Sequence, residues 1–110
     1  MSHFSVIKKS GEFSYIMKNG LIFCHKLLVV YVLKGVNPVS FGICAGKKIG
    51  TAVERNRIKR RLREILRLTL PSVVFNGSVI LVARSSSKYA SFQELQDSLL
   101  CMFRKSNLIG

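Results

Sequence analysis

Apolar residues recur along this chain first at helical spacing, then in alternating runs, then at helical spacing again. Phe13, Ile16 and Met17 fall on one helical face behind Ser10, which can cap a short helix. Asn19-Gly20 then supplies a left-handed stop. Leu21 to Cys24 and Leu27 to Lys34 read as strands, Gly35-Val36-Asn37-Pro38 as a turn, and Ser40 to Ala45 as the next strand. The turn residues stand where a hairpin between the last two strands needs them. In Leu27 to Lys34 both faces are apolar: Leu27, Val29, Tyr31 and Leu33 on one, Leu28, Val30 and Val32 on the other. A one-sheet domain buries one such face under helices. The other is either covered by the first helix through Phe13 and Met17, or left as a shallow cleft where unpaired bases stack on Tyr31 and Phe13.

The second helix opens on a capping box, Thr51-Ala-Val-Glu54, in which hydroxyl and carboxylate each satisfy an orphan backbone N–H. It runs to about Leu68, with Pro71 as the stop. Ser78 to Ala83 is another apolar strand. After a Ser-rich loop a second box, Ser91-Phe-Gln-Glu94, opens the last helix, whose apolar stripe is Phe92, Leu95, Leu99, Met102 and Phe103. With no repeat or linker in view, residues 1–110 read as a single domain. The expected fold is α+β: a small mixed four-stranded sheet with three helices, in the order α-β-β-β-α-β-α.

Charge changes the picture. Eighteen Lys and Arg face five acids, a net +13 that opposes compaction and calls for an anionic partner. Gly46 to Arg67 holds nine of the 18 cations and two acids, Glu54 and Glu64. At ~100° per residue, Ile58, Leu62, Ile65, Leu66 and Thr69 share one helical face. Asn56, Arg60, Arg63 and Arg67 lie nearly opposite, with Arg57 and Lys59 flanking them. A merely solvated helix face would carry matched acids at i,i+4, and Glu64 is the only acid beyond the cap. Repulsion among Arg57, Lys59, Arg60, Arg61 and Arg63 is relieved by phosphates, and Arg suits both bidentate phosphate contacts and stacking on bases. Lys47 and Lys48 carry the positive surface to the helix N-terminus, where free N–H groups favour anions. A membrane-surface helix would bring a bulkier apolar face than this one, which the sheet needs.

Other chemistry is thin. Cys24, Cys44 and Cys101 have no metal-ligand spacing and read as small buried hydrophobes of a reducing compartment. Met1 to Ser10 does not read as a secretory signal, and the longest apolar run, Leu27 to Leu33, is far short of the ~20 residues that span a bilayer. The expectation is a soluble cytoplasmic protein. For phosphodiester hydrolysis the acids Glu12, Glu54, Glu64, Glu94 and Asp97 offer no converging set for a metal, and His3 and His25 read as incidental. No catalytic residue and no metal or cofactor site is expected on this chain.

The run Lys47-Lys48-Ile49-Gly50-Thr51-Ala52-Val53-Glu54-Arg55-Asn56-Arg57-Ile58-Lys59-Arg60-Arg61-Leu62-Arg63-Glu64 resembles the signature of the bacterial ribonuclease P protein component, with its Arg-Asn-Arg core. Glu12-Phe13, Lys18-Asn19-Gly20, Val30-Tyr31, Val79 to Arg84 and Phe103-Arg104-Lys105 follow in family order, so the resemblance covers nearly the whole chain. It implies an accessory subunit of the endonuclease that removes the 5′ leader of precursor tRNA, with catalysis and Mg²⁺ belonging to the RNA subunit. The implied partners are ribonuclease P RNA and precursor tRNA, with no membrane and no small-molecule substrate. It further implies that Lys47, Lys48, Arg55, Asn56, Arg57, Lys59, Arg60, Arg61, Arg63 and Arg67 contact RNA, and that Phe13, Met17, Val29 and Tyr31 line a leader cleft. A left-handed β-α-β crossover through the basic helix is implied too. Two positions depart from the pattern: Val6-Ile7 stands where an Arg-Leu pair is frequent, and Met17 where a second aromatic is common. A small structural RNA-binding protein of the ribosomal type is the alternative.

Overall fold

The computed structural model describes residues 5–7 and 9–109; His3 lies outside the described residues. The elements are β1 (Ser5–Val6), α1 (Ser10–Asn19), β2 (Leu21–Cys24), β3 (Leu28–Pro38), β4 (Ser40–Ala45), α2 (Ala52–Thr69), β5 (Asn76–Ala83) and α3 (Phe92–Lys105). The four expected strands and three expected helices form in the expected order. The two-residue β1 is an addition that pairs parallel with the outer edge of β4.

The sheet order β1-β4-β5-β3-β2 corrects the expected hairpin. β3 and β4 are sequence neighbours but not partners: β5 lies between them, antiparallel to β3 and parallel to β4. Burial decides this. β5 presents Val79 and Leu81 to one face and Ile80 to the other, all fully buried, and in the middle of the sheet α2 and α3 cover the first face and α1 the second. Gly35 to Pro38 therefore continues β3 past a register shift instead of folding back as a turn. The tight hairpin is β2–β3, closed at His25, whose N–H donates to Leu28 O at 2.8 Å.

Alternation then builds two cores. Leu28, Val30, Val32, Phe41, Val79 and Leu81 face α2 and α3, where Phe41 and Phe103 stack with centroids 6.1 Å apart. On the opposite face Ile80 packs with Ile7 and with Ile16 of α1. The buried residues of α2 are Ile58, Leu62, Ile65, Leu66 and Thr69, the stripe expected from periodicity. In α3 they are Leu95, Leu99, Met102 and Phe103, with Phe92 half-buried. Ser98 joins them unforeseen, its hydroxyl 2.7 Å from His25 Nδ1.

Both capping boxes form: Thr51 with Glu54, and Ser91 with Glu94. The ends of α1 differ from expectation. Lys9, in extended conformation, occupies the N-cap and Ser10 lies inside the helix. Gly20 is not left-handed, with φ −85°. Glycine is needed there for space: a Cβ would sit 2.8 Å from the carbonyl oxygens of both Ile16 and Val32, because the chain turns from α1 into β2 directly against β3.

Candidate nucleic-acid interface

The capping box fixes where α2 begins and the core stripe fixes its rotation, so its polar side must face outward. Asn56, Arg57, Arg60, Arg63 and Arg67 are exposed, as are Lys47 and Lys48 in the 3₁₀ turn before the helix; Arg55, Lys59 and Arg61 are half-buried. The apolar stripe is spent on the core, and the large apolar side chains that α2 leaves exposed are Val53 and Leu68, one near each end.

Two of the helix cations are occupied. Arg67 forms an ion pair with Glu64 one turn back. The Arg61 guanidinium donates to Ala90 O at 3.1 Å and so ties α2 to the loop before α3. Glu54, after closing the cap, also pairs with Lys88 of that loop at 3.2 Å. Among the described residues, the cations of Lys47, Lys48, Arg55, Arg57, Lys59, Arg60 and Arg63 have no carboxylate partner. Such a surface is strained electrostatically until an anion covers it. Val53, Asn56, Arg60 and Arg63 together line a shallow groove on it.

Three carboxylates are held below the usual glutamate range. In Glu54 the main cause is the Thr51 backbone N–H, followed by Lys88; in Glu64 it is Arg67; in Glu94 it is the Ser91 backbone N–H. Folded-state values below the unfolded value of about 4.3 give stability that is present above that value and is lost as pH falls through the lower ones. The unfolding midpoint is therefore expected to drop in acid, and to drop less in Glu54→Gln/Glu94→Gln than in the parent. Equal drops in a thermal melt series would show that the boxes carry no such linkage.

The second feature is the sheet face under α1. Pairing register places Cys24, Val29, Val82 and Cys44 in one row across four strands, and Ile22, Tyr31, Ile80 and Gly42 in the next. The α1 helix covers this face only in part. Ile16 is buried on it, whereas Phe13, Met17, Tyr31, Cys44 and Val82 stay half-buried around it. The helix thus covers the middle of the face, as one of the two readings has it, and leaves a trough of half-buried apolar side chains beside it. Phe13, Met17 and Tyr31 meet in this cluster, while Val29 lies one row further on, half-buried and outside it. Phe13 lies directly over Gly42, where a Cβ would stand 2.7 Å from the ring.

Phe13 links this face to the basic helix. A cavity of about 350 Å³ around the edge of β4 is lined by Val6, Ile7, Phe13, Phe41, Ile43, Lys59 and Arg63. Lys59 also acts on Cys44, whose thiol burial pushes up and the Lys59 charge pulls down. An aromatic wall thus stands next to two cations on a different helix, which suits a chain of alternating flat bases and charged phosphates. The unusual Val6-Ile7 pair is also explained in part: Ile7 is buried against Ile16 and Ile80, and Val6 sits exposed at the cavity rim. Among the described residues, no three His, Cys, Asp or Glu side chains gather to hold a metal.

The family model described as Ribonuclease P matches residues 1–107 of this chain. The ribonuclease P protein component of Clostridioides difficile (strain 630) is 34% identical over 104 residues, spanning 93% of this chain and 91% of that one. That of Natranaerobius thermophilus is 33% identical over 112 residues, spanning 99% and 96%. The solved RNase P protein of Staphylococcus aureus superposes with a TM-score of 0.89 at 28% identity, over 98% of this chain and all of that one (100%). The Thermotoga maritima RNase P protein, at 23% identity and a TM-score of 0.83 over 92% and 96%, shares the fold.

Proposed function

We propose, from the premise that this chain belongs to the ribonuclease P protein family, that it binds the catalytic RNA through α2 and the 5′ leader of precursor tRNA through the trough beside α1. The observation that carries this is the continuity of the two surfaces: Lys59 and Arg63 of α2 line the same cavity as Phe13 of α1. Family membership makes the chain the protein subunit of a tRNA-processing nuclease. The division of labour within it is our inference.

The physical role is electrostatic and positional. Catalytic RNA and leader repel each other through their phosphates, and a cationic protein placed between them relieves that repulsion. The trough adds contacts that a precursor makes and mature tRNA cannot, so substrate is preferred to product as a difference of affinities. Hydrolysis using Mg²⁺ is assigned to the RNA. Among the described residues the carboxylates do not gather for such an ion: Glu54 and Glu94 close capping boxes, Glu64 pairs with Arg67, Asp97 accepts from Gln93 at 2.8 Å, and Glu12 joins no group of three ligating side chains.

Adding purified protein to ribonuclease P RNA at low Mg²⁺ is expected to restore leader cleavage. Failure to restore it would remove the assignment, and cleavage by protein freed of RNA would overturn the division of labour. Within this assay, Tyr31→Ala is expected to weaken binding of long-leader precursor about fivefold or more and to leave mature tRNA unchanged, from the worth of one aromatic–base stack. Equal losses for both would take the trough out of the leader's path.

A further inference from the structure

The α2 helix has two flanks, and the leader trough accounts for one. Lys59 and Arg63 lie on the side turned to Phe13. The other side is bordered by the loop before α3. Lys88 Nζ meets Glu54 at 3.2 Å and Ala90 O meets Arg61 at 3.1 Å, seven residues further along the helix. Glu54 and Arg61 fall on one stripe at ~100° per residue. Residues Lys88 to Ala90 therefore run alongside α2, and Arg57, exposed and without an ion-pair partner among the described residues, projects from the helix on that same side.

Between those two anchors stands Tyr89, 84% exposed. Its neighbours at Ser87 and Ala90 are both buried. The Ser87 backbone N–H and hydroxyl both donate to Arg84 O, at 2.9 and 2.6 Å, and Ala90 N–H donates to Ser87 O at 3.1 Å. The backbone is thus clamped, and the ring is directed outward from a fixed base. Lys88 Nζ lies over the ring, 5.5 Å from its centroid. A single exposed aromatic on a protein surface is ordinary. A clamped one, with a lysine over its ring and on the Arg57 side of a stripe of unneutralised cations, has the make-up of a base-stacking platform.

We infer that Tyr89 receives an unpaired base, and Arg57 its phosphate, from the catalytic RNA, on the flank of α2 opposite the leader trough. This rests on the assignment of α2 to RNA, and it adds a second aromatic contact that holds the catalytic RNA and not the leader. Because the backbone is already fixed, little ordering cost is charged against the contact.

The test compares Tyr89→Ala and Tyr89→Phe in full-length protein titrated with the cognate ribonuclease P RNA, with Arg60→Ala/Arg63→Ala as reference. Tyr89→Ala is expected to weaken binding about fivefold or more, and Tyr89→Phe to stay within twofold of the parent, since stacking uses the ring and not the hydroxyl. The ratio of affinities for long- and short-leader precursor is expected not to move. If Tyr89→Ala binds as the parent does while the arginine pair is impaired, the platform is overturned and the role of α2 stands. If neither variant is impaired, the assignment of α2 itself fails. Equal loss in Tyr89→Phe, or a loss that grows with leader length, overturns stacking on the catalytic RNA. A thermal melt separates each from misfolding.

Discussion

Replacing Arg60 and Arg63 together by alanine is expected to weaken binding to the catalytic RNA at least about tenfold and to flatten its salt dependence. Both guanidinium groups lie on the outward face of α2, and among the described residues neither has a carboxylate partner. Each contact with a phosphate is charge-assisted, worth about 1.5 kcal/mol or more, and releases counterions that salt puts back. Losing two contacts to single-stranded RNA lowers the log–log slope by about 1.4, at about 0.7 per contact. Arg67→Ala provides the internal comparison. Arg67 is already paired with Glu64, so its removal is expected to change the slope less than removal of either free arginine. Arg61→Ala acts differently again, because it releases Ala90 O and loosens the loop that carries Tyr89. Binding measured from low to moderate salt reads all four proteins. An unchanged slope in the double variant would refute phosphate contact at those positions.

The second large effect is on folding. Gly77→Ala is expected to lower the unfolding midpoint by about 10 °C or more, from a strain of about 2–3 kcal/mol at roughly 4–8 °C per kcal/mol in a domain of this size. Gly77 has φ +135°, a conformation open to glycine, and a Cβ there would stand 2.2 Å from Leu33 O and 2.7 Å from Gly35 N. Both are backbone atoms of β3, so relief requires moving the strand. This is the point where the β3–β5 register shifts, between Lys34 and Pro38. Gly46→Ala is the control, since nothing lies within 4 Å of its Cβ position and the residue is exposed. A Gly77→Ala protein that melts with the parent would show that β3 yields at this position.

The two effects also separate function from fold. The arginine variant is expected to melt no lower than the parent, because the replaced side chains take no part in the core and their loss relieves repulsion along α2. The glycine variant, below its midpoint, is expected to retain the parent's salt slope, because the spacing of cations on α2 is set within that helix.

What the sequence determined by itself is what short-range rules can determine. Cap, helical period and charge spacing act over three to seven residues, so the start of α2, its five buried residues and the row from Asn56 to Arg67 could be read without coordinates. The tertiary structure decided everything that depends on residues distant in the chain. It put β5 between β3 and β4, because burial on both faces outweighs adjacency in sequence. It settled which cations are free, since Glu54 reaches Lys88 and Arg61 reaches Ala90 only once the last loop has packed against α2. It brought Phe13 to Lys59 and Arg63, and it turned Tyr89 outward at a place where the sequence showed only a serine-rich loop. Local pattern fixes what each element is. Partner choice and neutralisation of charge are settled by which distant groups exclude water from one another.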